Sequence, residues 1–398
     1  MPAAPRPGAL AGVRVIDVTI NVLGPLATQI LGDAGADVIK VEGPGGDPMR
    51  EMGPTRTAGM AVMFLNFNRN KRSVGLDLKQ PAGRRALAAL VAGADVVVHS
   101  MRPGAAARLG LDPASLRAMH PRLIHAAASG FRQSSRHRDR PAFDDVIQGM
   151  SGIAMLNRDA TGAPRYAPVA LADKFCGHAL ASAIVMALFH RERTGEGQEI
   201  HVPMLETMLA FNLPEHLWGA TLCEPGLGLG YGRMLSPHRR PYPTSDGHIC
   251  VMAVTDEQWH RLFGALGRPE LMRDPRFARL ADRVMNIGEA YAVLLEVLPT
   301  RSTAEWLAVL DRADVPCGPA NTIADLLDDP DLAEGGFFQE FLHPTEGRLR
   351  TMSPPVAFSA SPAAIRRLPP KLGEHTEEVL RELGVEPPPP VKPRPAKP

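Results

Sequence analysis

Short β-branched runs alternate with helix-period segments over the first third of the chain. Residues 13–19 (VRVIDVT) read as a strand, followed by a Gly24-Pro25 turn. Pro25 suits the first helical position, where its missing N–H does no harm. That helix continues through Leu26, Ile30 and Leu31 to a stop at Gly35. Residues 37–42 (DVIKVE) form the next strand. Strand, helix and strand within about 30 residues imply parallel pairing through a right-handed crossover. The pattern recurs, with strands over 73–78, 95–99 (DVVVH) and 122–128 (RLIHAAA) and helices over 81–92 and 113–119. Apolar strands separated by helices predict a doubly wound α/β domain with a parallel sheet covered on both faces.

Beyond residue 172 the period changes. Residues 174–193 are the longest helical run, halted at Thr194-Gly195, and 199–203 is a strand leading into a helix over 204–218. Residues 223–244 are rich in Gly and Pro and read as a linker or mobile loop. A strand over 248–254 and helices over 257–266, 291–298 and 303–310 predict a second, smaller α/β domain. Ser302 and Glu305 have capping-box spacing at the start of the last of these. A helix over 376–383 precedes the proline-rich residues 386–398, which have nothing to bury and should be disordered or polyproline II. The apolar stretch 179–189 runs into His190-Arg191-Glu192-Arg193, and no window approaches about 18 uncharged apolar residues, so no membrane helix is expected.

Composition narrows the function classes. The 398 residues allow two or three domains, and 44% hydrophobic with 22% charged residues excludes wholesale disorder. Lys+Arg at 44 against Asp+Glu at 43 argues against a polyanion-binding protein, and 5% aromatics against a base-stacking surface. Cys176, Cys223, Cys250 and Cys317 form no CxxC pair, so neither a zinc site nor a disulfide scaffold is expected. Reduced thiols and an N-terminus without a secretory core (MPAAPRPGALAG) suggest a cytoplasmic enzyme.

Familiar phosphate and hydrolase motifs are missing. The first strand-to-helix turn reads TINVLGP rather than GxGxxG, and the glycine-rich 226–232 has the wrong spacing and no preceding strand. That segment reads as a linker or, alternatively, an active-site flap. Asp173, in VALADK at the mouth of the longest helix, admits two readings. It is an N-cap, or it is a carboxylate nucleophile at the positive end of a helix, flanked by Val169, Leu171 and Phe175. A carboxylate can attack a thioester to give an acyl-anhydride and expel a thiolate without any metal, provided water is excluded. Cys176 is a rival nucleophile or a buried structural thiol. Arg132, Arg136, Arg138 and Arg140 with His137 either meet a coenzyme's phosphates or form a solvated loop. Lys40 and Lys71-Arg72 lie near strand ends, where ligands of open α/β sheets gather. Asp144 and Asp145 either position Asp173 or the acyl group or simply cap a turn, and His238-Arg239-Arg240 could bind an acceptor carboxylate.

Several blocks together resemble family III coenzyme A transferases. They are 35–42 (GADVIKVE), 68–78 (NRNKRSVGLDL), 102–104 (RPG) with 108–111 (RLGL), 121–124 (PRLI), 190–198 (HRERTGEGQ), 315–319 (VPCGP) and 372–380 (LGEHTEEVL). They follow the family's order over about residues 9 to 384. The family includes formyl-CoA:oxalate and carnitine CoA-transferases and 2-methylacyl-CoA racemase. The resemblance implies an interlocked homodimer, each chain with a Rossmann-like large domain and a smaller α/β domain. It divides the chain into 1–200 and 326–385 for the large domain, 201–230 as connecting helix and linker, 231–325 as the small domain and 386–398 as the tail. It implies Asp173 as nucleophile. Coenzyme A contacts would come from Val22, Leu23, Leu76, Lys79, Ser100, Met101, Arg102, Arg108 and Arg140. Acyl-CoA and a free carboxylic acid are then substrates, with no permanently bound cofactor, nucleic acid or membrane partner. The implied activity is acyl-CoA:carboxylate CoA transfer, with acyl-CoA racemisation as the alternative.

Departures bear on the substrate. Many members carry Glu-Asn-Phe where this chain has His99-Ser100-Met101, and Gly43 stands where relatives often have arginine. Val22 stands where the oxalate enzyme has a glutamine, so the resemblance does not point to oxalate as the acceptor. Racemases place a histidine before an aspartate where this chain has Phe143-Asp144, and phenylalanine cannot shuttle a proton.

Overall fold

Strand residues alternate between two separate cores, which is why their sequences read as unbroken apolar runs. Val15, Val38, Val96 and Val98 face one cluster, completed by Ala172, Leu180 and Ile184. Ile16, Ile39 and Val97 face the other, completed by Leu87, Leu90 and Leu380. The computed structural model describes residues 7–224 and 226–391. Within them, β1 (Arg14–Val18), β2 (Asp37–Glu42), β3 (Lys71–Gly75), β4 (Val96–His99), β5 (Ile124–Ser129) and β6 (Glu199–Pro203) pair in parallel in the order β3-β2-β1-β4-β5-β6. Strand order reverses between β1 and β4, the point where ligands of such sheets bind. The α/β class and the parallel sheet follow as expected.

Chain contacts group residues up to Asn157, Pro164–Phe211 and the chain from Glu334 into a larger unit, with Arg158–Ala163 and Asn212–Ala333 in a smaller one. In the larger unit the helix Thr376–Glu382 returns to the sheet: His375 N–H donates to the Ser73 carbonyl, and Gly75 N–H to Thr376 Oγ1 at 2.9 Å. The smaller unit packs Trp259, Phe263, Tyr291 and Trp306 beside an antiparallel sheet of β7 (Tyr242–Pro243), β8 (His248–Val251) and β9 (Cys317–Pro319). The Ser302–Glu305 capping box is formed. An antiparallel hairpin, β10 (Phe338–His343) with β11 (Gly347–Met352), belongs to the larger unit and has no counterpart in the sequence reading.

Four expectations are corrected. The helix Leu23–Asp33 begins two residues before Pro25. Gly24 is needed there, since a Cβ on it would stand 2.3 Å from that of Thr19. The helix Leu171–Thr194 is, by length and composition, apolar enough to cross a membrane, because the charges at its C-terminal end lie outside its most apolar window. One side of it is packed in the core of the larger unit, where Gly177 lets it approach the Leu23 carbonyl. Lys40 and Lys71 are not ligand-facing: both are fully buried, Lys40 on Asp47 at 2.9 Å and Lys71 on Asp17 at 3.0 Å. Arg72 pairs with Asp37 and Glu382. Finally, the proline-rich tail is not wholly without partners. Val391 lies so close that a Cβ on Gly75 would stand 2.3 Å from its Cγ2. Residues 392–398 lie outside the described residues.

Candidate active site

A cleft of about 630 Å³ opens at the carboxyl ends of β1, β4 and β5, on the strand-order reversal. Ile20 and Asn21 line it after β1, Ser100, Met101 and Arg102 after β4, and Ser129 and Gly130 after β5. Asn21 takes a left-handed backbone (φ 66°), and its N–H donates to Asp47 Oδ1 at 3.2 Å. The turn carrying it is held from beneath by Lys40, whose Nζ donates to the Thr19 carbonyl at 2.8 Å. Lys40 and Lys71 also hold the Asp17 carboxyl well below the carboxylate range despite its complete burial, helped by the Thr19 and Thr28 hydroxyls. The buried lysines therefore shape the floor of the cleft rather than touch what enters it.

Asp173 forms part of the cleft wall. It is the third residue of the Leu171–Thr194 helix, so it is not the N-cap. Ala170 holds the capping position and offers no side-chain bond. The cap is supplied from 29 residues away: Asp144 Oδ1 accepts the Asp173 N–H at 3.0 Å. Gln148, fully buried, donates to Asp144 Oδ2 at 2.6 Å and accepts the Ala167 N–H at 2.9 Å. The Asp144–Gln148 pair thus fixes the chain entering the long helix, leaving the Asp173 carboxylate free of that task. Burial, and then the Asp144 charge, push the Asp173 carboxyl up from 3.8 to about 6. A carboxylate so disposed is partly desolvated yet still ionised at neutral pH, as a nucleophile requires. Cys176, by contrast, is fully buried and its thiol is pushed up to about 12, first by burial and then by Asp173 and Asp144. It is a structural thiol.

Of the residues singled out from sequence, the cleft brings together Leu23, Ser100, Met101, Arg102, Arg108, Arg138, Arg140, Phe143 and Asp173. Arg102, Arg108, Arg138 and Arg140 are solvent-exposed cations that could meet phosphates. Val22 instead packs with Met49 and Phe64, and Leu76 lies in the sheet core. Lys79 is exposed on the turn before the Pro81–Ala92 helix and does not line this cleft. Asp145 is exposed, and His238-Arg239-Arg240 and residues 226–232 belong to the smaller unit.

Beneath Ser100 and Met101 lies a buried pair that sequence reasoning missed. Met101 N–H donates to His99 Nδ1 at 3.2 Å, so the His99 proton sits on Nε2 and faces His125 Nε2 at 2.8 Å. Burial, then the neighbouring histidines, hold His99 at about 3, so it stays neutral at working pH. His99 closes the DVVVH strand, and only the pairing of β4 with β5 shows that His125 meets it.

Residues 10–376 match the family model described as CoA-transferase family III. The succinate–glutarate CoA-transferase of Agrobacterium fabrum is 35% identical over 393 residues, covering 95% of this chain and 96% of that protein. The probable fatty acyl-CoA transferase Rv3272 of Mycobacterium tuberculosis is 34% identical over 396 residues, covering 96% and 99%. Among solved structures, an aspartate-to-alanine mutant of Rv3272 superposes with a TM-score of 0.83 at 31% identity, covering 94% of this chain and 99% of that one. A CAIB/BAIF family protein from Brucella suis gives 0.79 at 33%, covering 95% and 100%.

Proposed function

The chain belongs to CoA-transferase family III, and on that premise we propose that it moves coenzyme A from an acyl-CoA donor to a free carboxylic acid through Asp173. The Asp173 carboxylate attacks the thioester carbonyl, forming a mixed anhydride and releasing the CoA thiolate. The thiolate attacks the Asp173 carbonyl, expels the donor acid and leaves an aspartyl-CoA thioester. The acceptor carboxylate then attacks this thioester, giving a second anhydride and the thiolate again. Attack of the thiolate on the new acyl carbonyl yields the product acyl-CoA and restores Asp173. Each step exchanges one acyl–oxygen or acyl–sulfur bond for another, so the cycle needs no metal and no net proton.

One observation carries this reading. Asp173 stands in the wall of the cleft with its carboxyl raised to about 6, while its helix-capping duty is taken over by Asp144. Arg102, Arg108, Arg138 and Arg140 are cations suited to the phosphates of coenzyme A, with Leu23, Ser100 and Met101 beside its pantetheine. Val22, Leu76 and Lys79 remain candidate contacts through the family resemblance alone. Racemisation at the α-carbon is disfavoured by Phe143, which offers no proton carrier in the cleft. An interlocked homodimer would cover Val185, Met186 and Phe189, which stand exposed on the long helix; a cytoplasmic location is proposed from the sequence alone.

Asp173→Ala tests the reading. Transfer from acyl-CoA to a panel of acids should fall by at least about a thousandfold, as for loss of a covalent nucleophile. Retained transfer contradicts it. Deuterium wash-in at the acyl α-carbon without any acceptor acid would favour the racemase instead.

A further inference from the structure

Gln148 sits on the short helix Asp144–Met150, fully buried and outside the lining of the cleft. Its carboxamide is committed at both ends. Nε2 donates to Asp144 Oδ2 at 2.6 Å and to the Val169 carbonyl at 3.3 Å, and Oε1 accepts the Ala167 N–H at 2.9 Å. Two acceptors facing one end and a donor facing the other fix the orientation of the amide. Only a neutral group that both gives and accepts satisfies all three. Gln148 thus joins its own helix to the chain 167–169, which leads into the helix Leu171–Thr194. Asp144 carries the tie one residue further, into the cleft wall, its Oδ1 accepting the Asp173 N–H at 3.0 Å. Among the described residues, Arg102, Arg138 and Arg140 make their side-chain bonds elsewhere, on Asp139 and His137.

We propose that Gln148 is a positioning residue for acyl transfer: its neutral amide holds Asp144 and the entering chain in register and so aims the Asp173 carboxylate at the thioester carbonyl. The proposal rests on Asp173 being the nucleophile. Near-attack geometry is exacting, and a displacement of about 1 Å costs about a hundredfold in rate. Asp144 has one oxygen on the Asp173 backbone and the other on Gln148, so loss of the amide leaves it held at one end only. The hold on coenzyme A is separate, because Gln148 neither lines the cleft nor bonds to its arginines. A carboxyl of the same length in place of the amide makes the requirement for neutrality visible. Protonated, it can still donate to Asp144 Oδ2. Ionised, it sets two carboxylates in contact and turns an oxygen toward the Val169 carbonyl, which breaks the tie.

Gln148→Met and Gln148→Glu test this in the full-length enzyme, with every donor and acid pairing of acetyl, hexanoyl and succinyl groups. Gln148→Met keeps the volume but loses the amide. It should lower kcat by about tenfold or more, with KM for acyl-CoA within about threefold of native. Gln148→Glu should keep kcat/KM within about threefold of native at pH 6.5. It should lose at least about tenfold by pH 9, where the native value is level, and regain it on return to pH 6.5. That recovery shows a folded variant, and loss of packing alone produces no such limb. The charged or titratable groups on the elements packed here are Asp144 and Asp145 on the same helix, Asp173, Lys174 and Cys176 at the start of the long helix, and Arg165 and Tyr166 before it. Asp173 at about 6 and Cys176 at about 12 titrate outside the range in which the new limb is read. Native kcat in Gln148→Met, or a Gln148→Glu profile parallel to the native one at every pH, overturns the proposal while leaving transfer through Asp173 intact. Transfer persisting in Asp173→Ala overturns the reading on which the proposal rests. Absence of transfer with every pair in the native enzyme overturns both.

Discussion

Burial and the neighbouring Asp144 charge hold the Asp173 carboxyl at about 6 instead of 3.8, and this has opposite consequences for activity and stability. Attack requires the ionised form, so kcat/KM should fall with decreasing pH below about 6 and level off above it. Asp144→Asn removes the like charge and should move that limb to lower pH, read from a kcat/KM profile. For stability the sign reverses. A carboxyl raised in the folded state favours folding below its unfolded value and loses that benefit as pH rises through about 6. At pH 7 the charged Asp173 therefore costs up to about 3 kcal/mol. Asp173→Asn should melt at a higher temperature at pH 7 while losing transfer, with the gain shrinking toward pH 4; a lower melting temperature at pH 7 would contradict this. The buried histidine pair makes a separate prediction. His99→Ala should raise KM for acyl-CoA by about three- to tenfold with kcat little changed, the worth of one net hydrogen bond to the Met101 turn. His99→Asn, whose amide oxygen can still accept from Met101 N–H, should recover most of the loss. Asp173 drew notice from its place at a helix mouth, but its role, like the contacts of Arg102, Arg108 and Arg140, came from the family resemblance. Charge near a strand end by itself pointed to Lys40 and Lys71, which are buried. Gln148 drew none, since a glutamine inside a short helix shows its role only when the chain it clamps is in place.

Elements were most legible where burial is two-sided. The six strands and the Pro81–Ala92 helix announce themselves because each residue faces one of two cores or solvent in a regular period. The start of the long helix was misread for a physical reason: its cap comes from Asp144, remote in sequence, so the local VALADK pattern pointed to Asp173. The β10–β11 hairpin was missed because neither strand carries a strong apolar face; Leu342 and Met352 remain exposed. At this scale the contact between the Leu23–Asp33 helix and the long helix is the critical joint. A Cβ on Gly177 would meet the Leu23 carbonyl at 2.8 Å and the Leu26 side chain at 3.3 Å. Gly177→Val should therefore cost about 1–3 kcal/mol by overpacking. Because Asp173 lies one turn away, the variant should also lose kcat, whereas Gly12→Val, with nothing within 4 Å and the backbone at positive φ, should lose stability alone. Melting curves and steady-state rates on the two variants check the contrast.

For the whole molecule, the proposed interlocked dimer supplies a cover for apolar surface that a lone chain leaves in water. Met186 and Phe189 are 70% and 63% exposed on the long helix. Met186→Glu with Phe189→Glu places charges on that face and should shift light-scattering mass from dimer toward monomer, with activity falling in step. A dimer of undiminished stability would remove this face from the interface. Within the balanced charge of 44 basic and 43 acidic residues, Arg102, Arg108, Arg138 and Arg140 line the cleft proposed to take the coenzyme. The central claim is that Asp173 becomes covalently acylated during turnover. Incubation with acyl-CoA and hydroxylamine, followed by peptide mass spectrometry, reads this directly. The account predicts a hydroxamate on Asp173 that depends on acyl-CoA. Continued CoA transfer with Asp173 unmodified, or the adduct on another residue, would contradict it.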